Sequence, residues 1–318
     1  MNNTLNVGLI GVGRWGRNIA RTIREEVTGM TLHRAASGNA QARERVGPAC
    51  TLHTGWREML SCDDLDAVFL AVPAGLNREI ASAAIVRRLP VFMEKPMTLN
   101  VADAQAILDL AIRHEGIADV DHVDLHNPAV CAMREAVHTP IKRIFGRIGA
   151  AYERRVDMSP LWEYLPHFLA VTITLMGRTP GAVKASFIPR ETEPFDDQSK
   201  EVVRVIMDFG NGADVCIEAG NGMARKVRDM DVYLDDEVFH FSDRASVPLS
   251  RSLLTDPDTH IQIPVSSTLP LASAIKAFES KVRLDKPDFG GAIMGLNVVM
   301  VLEAITKSLV TKKWCCVK

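Results

Sequence analysis

The stretch Leu5-Asn6-Val7-Gly8-Leu9-Ile10-Gly11-Val12-Gly13-Arg14-Trp15-Gly16 decides the fold. A short apolar strand runs directly into G-x-G-x-x-G, and the residues that follow, through Arg24, read as a helix. A glycine triplet by itself recurs by chance. Between a strand and a helix each glycine has a physical use. The first makes the tight turn, the second lets a pyrophosphate approach the backbone, and the third lets helix pack on strand. The phosphates then sit over the helix N-terminus. This placement implies a bound dinucleotide rather than a turn of purely structural use.

The same alternation continues outward from the motif. Thr31 to Ala36 reads as a second strand, and Asp66 to Val72 is a near-continuous apolar run ending at Pro73, the pattern of a parallel strand buried on both faces. Asn77 to Arg88 is helical, Pro90 to Met93 is a short strand, and Val101 to His114 is a helix with Asn100 as its N-cap. Strands separated by helices through about residue 120 predict an α/β doubly wound parallel sheet.

Beyond residue 140 the rhythm changes. Strands are expected at Ile144–Arg155, Ala182–Ile188, Val202–Phe209, Ala213–Glu218, Val227–Leu234 and Val238–Phe241, with Asn211-Gly212 as a hairpin turn. The charged stretch Arg225–Asp236 reads as strand and hairpin surface. One long helix, Trp162 to Met176, interrupts them and ends at Gly177; because Pro166 fits only a first turn, that helix is expected to begin near Leu165. This is a C-terminal α+β domain with a mainly antiparallel sheet. Gly290 to Leu309 closes the chain as an amphipathic helix. The expected division is 1–120, 121–290 and 291–318.

Composition excludes several classes of function. The 318 residues are 47% hydrophobic and 24% charged with a formal net charge of -2, which is globular and offers no basic field for nucleic acid. No uninterrupted apolar run approaches the ~18–20 residues of a membrane span, and MNNTLNVG lacks a cationic leader. A cytoplasmic protein is expected, without nucleic-acid or membrane partners. The six cysteines form no C-x-x-C pair, so free thiols are expected, and the terminal CCVK is a poor prenylation box because of its final Lys.

Four groups of residues carry candidate chemistry. Where the second strand ends, Ser37-Gly38-Asn39 replaces the acid that would bind a ribose 2′-hydroxyl, while Arg14 and Arg43 lie close in sequence. Loss of the carboxylate favours a 2′-phosphate, hence NADP over NAD, unless those arginines are simply solvated. Glu94-Lys95-Pro96 lies at the carboxyl edge of the sheet, where open α/β sheets bind ligands and a lysine can polarise a substrate oxygen. Glu163 and His167 are four apart on the expected helix, a spacing that suits an oriented imidazole and equally an ordinary surface pair. On a strand, His122, Asp124 and His126 would share one face, which invites a metal, although a half-buried strand with one polar face explains the alternation without one.

With these landmarks the chain resembles the Gfo/Idh/MocA family, the glucose–fructose oxidoreductase and inositol dehydrogenase group. The resemblance rests on GVGRWG at 11–16, AVPAGLNREIASAAI at 71–85, EKPMT at 94–98, DHVDLHNPAV at 121–130, LWEYLPH at 161–167 and GLNVVMVLEAITKS at 295–308. The pieces at 121–130 and 161–167 look most like sugar and nucleotide-sugar members. The resemblance implies an N-terminal Rossmann domain, a C-terminal domain with a large open-faced sheet, a last helix returning to the first domain, and a homodimer or homotetramer formed through the sheet. It implies no metal.

The activity implied is that of an NAD(P)-dependent dehydrogenase or reductase acting on a CH–OH group of a sugar, nucleotide sugar or cyclitol. Lys95, His167 and Glu163 would be catalytic, Lys95 holding the reacting oxygen and His167 exchanging its proton. Gly11, Gly13, Arg14, Trp15, Gly16, Ser37, Asn39, Arg43, Val72, Pro73, Asn77, Glu94 and Lys95 would line the cofactor. His122 and Arg155 would join Lys95 and His167 around the substrate, and the Lys95–Pro96 bond would be cis. The chain departs from the family at Glu163, usually Asp, at Asn77, often His, and at Ser37, usually an acid. Glu163 and Asn77 leave open a non-catalytic cofactor-binding sensor or partner-binding protein, and a C–O bond cleavage through transient oxidation would use the same catalytic residues.

Overall fold

The computed structural model describes residues 4–151, 158–191 and 200–318. In chain order the elements are β1 (Leu5–Ile10), α1 (Gly16–Glu26), β2 (Met30–Ala36), α2 (Ala42–Val46), β3 (Thr51–His53), α3 (Trp56–Leu60), β4 (Ala67–Leu70), α4 (Asn77–Val86), β5 (Val91–Glu94), α5 (Val101–Arg113), β6 (Ala118–Asp121) and α6 (Pro128–Ala136). They are followed by β7 (Arg143–Ala151), α7 (Pro160–Met176), β8 (Ala182–Ile188), β9 (Val202–Asp208), β10 (Asp214–Gly220), β11 (Gly222–Tyr233), β12 (Glu237–Ser242), β13 (Leu249–Leu253), β14 (Asp256–Gln262), α8 (Pro270–Leu284), α9 (Gly290–Thr311) and β15 (Cys315–Cys316). The chain divides into two units, Met1–Val123 with Leu269–Val299, and Asp124–Thr268 with Met300–Lys318.

The first unit holds a parallel sheet in the order β3-β2-β1-β4-β5-β6. All four residues of β4 are buried, as its unbroken apolar run requires of a strand covered on both faces. The strand order reverses between β1 and β4, so the ligand crevice of such a sheet opens at their carboxyl ends, just after Ile10 and Leu70. Asn100 caps α5 by accepting a hydrogen bond from Asp103 N at 2.8 Å. The core carries a triangle of aromatic rings, Phe69, Phe92 and Phe278, with centroids 5.2–5.4 Å apart. Phe278 comes from α8, so a late segment of the chain completes the core of the first sheet.

The second unit holds a nine-stranded sheet in the order β14-β13-β12-β11-β7-β10-β9-β8-β15. Its pairings are antiparallel except β10 with β7, which are parallel. On β9 the burial alternates: Val203, Val205 and Met207 are buried, while Arg204, Ile206 and Asp208 are exposed. Helix α7 lies on the sheet and packs closely at Gly146 in β7, where a Cβ would stand 3.0 Å from the Phe168 ring.

Two expectations about local structure are corrected. Helix α7 begins at Pro160, not near Leu165: Ser159 caps it through Oγ, 3.4 Å from Trp162 N, and Pro166 lies inside the helix. A good cap directly before a tolerated N-terminal proline outweighs the cost of one internal proline. The second concerns residues 119–126, which are not one strand; β6 stops at Asp121 and Val123–His126 is a 3-10 turn, so His122, Asp124 and His126 do not share a strand face. Asn127, capping α6 through Ala129 N at 2.9 Å, turns the chain there.

Helix α9, with 22 residues, is long and apolar enough to cross a membrane by length and composition alone, and half of that apolar window is buried in the protein. Val298, Val299, Val301, Leu302 and Ile305 are fully buried, so its apolarity serves the core.

Candidate active site

The glycine loop is shaped by close approach. Gly11 has φ +91 and its N–H donates to Ala36 O at 2.9 Å. A Cβ on Gly11 would stand 2.4 Å from Ala71 O, and one on Gly16 would stand 2.0 Å from Gly11 O, so neither position admits a side chain. At Gly13 a Cβ would meet nothing within 4 Å. The first and third glycines are thus required by the protein's own packing, and the second leaves open space in front of α1. That helix has no acidic residue in its first turn, so no carboxylate there opposes an anion at its positive end. These residues fit a dinucleotide pyrophosphate.

Beside the loop, Ser37 Oγ accepts from Asn39 N at 3.1 Å and Val12 N at 3.4 Å, and Asn39 Nδ2 donates to Val12 O at 3.4 Å. Both side chains therefore brace the glycine loop. Arg43 donates to two backbone carbonyls, Cys50 O at 2.6 Å and Gly47 O at 3.3 Å. Arg45, which sequence reasoning passed over, reaches the loop itself through Nη1 to Val12 O at 2.8 Å, steadied by Gln41. Arg14 and Trp15 are exposed on the loop, and Val72 and Pro73 follow β4 at the same carboxyl edge.

The Lys95–Pro96 peptide is cis, at the end of β5. Asn77 is fully buried at the start of α4 and donates to Met97 O at 3.1 Å and Glu94 O at 3.4 Å, tying that helix to the turn carrying Lys95. Glu94 stands opposite Asp121 in the β5–β6 register. Burial, and then the Asp121 charge, push the Glu94 carboxyl well above the usual carboxylate range, with the Lys95 ammonium acting the other way. His122 is buried, just past the end of β6.

In the second unit, His167 on α7 places Nδ1 2.6 Å from Asp124 Oδ2. The other oxygen, Asp124 Oδ1, lies 3.4 Å from Arg228 Nη1, which is also 3.6 Å from Asp243 Oδ2. Asp124 is only 2% exposed and His167 14%. A carboxylate on Nδ1 favours the tautomer of a neutral ring that carries its proton there, which makes Nε2 the basic nitrogen. Glu163 lies one turn earlier, in the first turn of α7. Helical spacing pointed to Glu163 as the partner of His167; the carboxylate at hydrogen-bond distance from Nδ1 is Asp124, read from sequence only as a metal candidate. Arg155 lies outside the described residues. Among the described residues no group of three or more His, Cys, Asp or Glu is placed to hold a metal.

Residues 5–122 match the family described as an oxidoreductase family with an NAD-binding Rossmann fold, GFO_IDH_MocA. A UDP-N-acetylglucosamine 3-dehydrogenase of Acidithiobacillus ferrooxidans is 24% identical over 238 residues, 73% of this chain and 72% of that protein. A crystal structure of a Magnetospirillum magnetotacticum MS-1 protein classed as an oxidoreductase superposes with TM-score 0.87 at 30% identity, covering 95% of this chain and 99% of that one. The fold is also that of a scyllo-inositol dehydrogenase from Lactobacillus casei, solved with NAD(H) and scyllo-inositol, at TM-score 0.82 and 16% identity over 99% of both chains.

Proposed function

The chain belongs to the Gfo/Idh/MocA family of oxidoreductases, and from that premise we propose that it transfers a hydride between NADP, in preference to NAD, and a secondary alcohol or ketone of a sugar, nucleotide sugar or cyclitol. Dehydrogenases of a nucleotide sugar and of inositols among its relatives support this substrate class. The observation that carries the reading is the His167–Asp124 contact of 2.6 Å. A protein that only senses a cofactor has no need for an imidazole held this closely by a buried carboxylate.

Gly11, Gly13 and Gly16 would seat the dinucleotide, with Ser37, Asn39, Arg14, Arg43 and Arg45 at its adenosine end and Val72, Pro73, Asn77 and Glu94 at its nicotinamide end. When bound, the nicotinamide supplies the hydride or accepts it. Lys95 donates a hydrogen bond to the reacting oxygen and stabilises the negative charge that grows on it. His167 gives that oxygen a proton from Nε2 in reduction and takes it back in oxidation, while Asp124 balances the transient imidazolium. Asn77, tying α4 to the turn after β5, holds Lys95 in place, so its departure from the family's His is compatible with catalysis. We place the enzyme in the cytoplasm, acting as a homodimer or homotetramer.

The test is loss of nicotinamide absorbance on mixing enzyme and NADPH with a panel of keto sugars, nucleotide keto sugars and inosose. Turnover is expected with at least one, and Lys95→Ala and His167→Ala are each expected to lower it by at least ~100-fold without unfolding. Tight NADPH binding with no turnover on any ketone, and none in the reverse direction with the alcohols, would move the assignment to the sensor reading.

A further inference from the structure

Around His167 the charges alternate in a line. The imidazole Nδ1 is 2.6 Å from Asp124 Oδ2, the opposite oxygen of that carboxylate is 3.4 Å from Arg228 Nη1, and Arg228 Nη1 is 3.6 Å from Asp243 Oδ2. The line crosses three segments that sequence keeps far apart: the 3-10 turn after β6, helix α7, and the paired ends of β11 and β12. Asp243 is seated by its own N–H, which donates to Arg228 O at 3.2 Å just beyond the Asp229–Ser242 register pair. Arg228 and Asp243 are each only about one-fifth exposed, so solvent screens this line less than it would a surface pair.

A carboxylate this deeply buried and this close to an imidazole would, alone, hold the ring as a permanent imidazolium. Such a ring keeps its proton and is a poor donor to a substrate oxygen. A guanidinium on the far side of the same carboxylate draws off part of its charge and so keeps the ring's two protonation states close in free energy. Asp243 in turn limits how strongly Arg228 acts.

We infer that Arg228, held by Asp243, is a positioning residue that acts on His167 through Asp124 and sets how readily the imidazole gives up and regains its proton. The inference rests on the reading of His167 as the acid–base group. Other charged groups lie nearby: Lys226 and Arg244 act on Asp243, Glu163 is one turn before His167 on α7, and His126 shares the turn of Asp124. Arg228 is the group that joins Asp124 to a second carboxylate, with Nη1 3.4 Å from Asp124 Oδ1 and 3.6 Å from Asp243 Oδ2.

The experiment is a titration of the His167 ring by NMR in the full-length protein, its resonance identified by loss in His167→Gln. Arg228→Met removes the cation that opposes the imidazolium both directly and through Asp124, so the midpoint is expected to rise by about 0.5–1 pH unit. Asp243→Asn removes the anion that restrains Arg228, so the midpoint is expected to fall, by a smaller amount. Opposite signs are the mark of charge tuning; a purely structural role would lower thermal stability in both variants and move the midpoint in one direction or not at all. Arg228→Lys keeps the charge and is expected to hold the wild-type midpoint, which tests the idea even if the methionine variant folds poorly. Shifts of the same sign, or an unmoved midpoint in a folded Arg228→Met, would overturn the inference. Because the midpoint is read without turnover, opposite shifts in an enzyme that His167→Ala leaves active would sink the catalytic reading and keep the tuning.

Discussion

At the glycine loop, what the protein offers a ligand is backbone: a glycine at φ +91, two positions where a Cβ would collide, one where it would meet nothing, and the amides of a helix end. Around His167, what it offers is side-chain charge, four ionisable groups in sequence with contacts from 2.6 to 3.6 Å. Backbone of the first kind fails sterically and all at once, because the colliding atoms are carbonyls that cannot swing aside. Charge of the second kind fails by degrees, because each group rescales its neighbour's protonation. The two regions should therefore respond to substitution in different observables, stability and occupancy in one, pH dependence in the other.

The sharpest way to break that contrast lies within the loop. Gly16→Ala forces a Cβ to within 2.0 Å of Gly11 O. It is expected to cost about 2 kcal/mol or more and to abolish measurable NADPH binding. Gly13→Ala meets no protein atom within 4 Å, so its melting temperature should stay at the wild-type value while NADPH affinity, read by nicotinamide fluorescence, falls by about 10-fold or more. Equal destabilisation by both would show that the opening at Gly13 is not kept for a ligand.

At the charged region, Asp124→Asn is expected to lower kcat by about 10- to 100-fold and to shift the pH–rate profile, with Glu163→Gln changing kcat by less than about 3-fold. The reverse ranking would return the orienting role to the helical neighbour. A smaller effect sharpens cofactor choice: Arg45→Met, at the glycine loop through Val12 O, is expected to weaken NADPH about 10-fold with little change for NADH, whereas Arg43→Met, whose guanidinium is directed to Gly47 O and Cys50 O and not to the loop, should leave that ratio alone. Paired titrations with the two nucleotides decide it.

The smallest effect concerns Glu94 and Asp121, where charge intrudes on the backbone-built unit. Glu94 titrates higher folded than unfolded, so its contribution to stability is complete below the unfolded value near 4.5 and is lost as pH rises toward the folded one. Asp121→Asn removes the second cause of that elevation. Thermal melts should show the variant gaining on the wild type by a few degrees as pH is raised from about 5 to 8; a constant difference would mean that the Asp121 charge does not act on Glu94.

The loop was readable in advance because everything it needs lies in twelve contiguous residues, strand then turn then helix. The Glu94-Lys95-Pro96 turn was readable for the same reason. Asp124 was not, because its partner is 43 residues away and the alternation around it reads as a strand until Asn127 caps a helix and pulls the chain into a 3-10 turn. Arg228 sat in a stretch that pattern alone assigns to charged strand surface. Arg45 was hidden by the brevity of α2, whose five residues carry no periodicity from which to choose the side that faces the loop. Neither β13, β14 nor α8 has a pattern strong enough to stand out: β14 is exposed at every position, which removes the alternation that marks a strand.

The aromatic triangle of Phe69, Phe92 and Phe278 also bears on how the chain is made. Two of its corners emerge early from the ribosome and the third only after some two hundred further residues, so Phe69 and Phe92 wait without Phe278 while Asp124–Thr268 of the second unit is made. At ~5–20 residues per second that is a delay of order ten seconds or more. Truncations that stop before α8 are therefore expected to aggregate rather than yield a free-standing dinucleotide-binding domain.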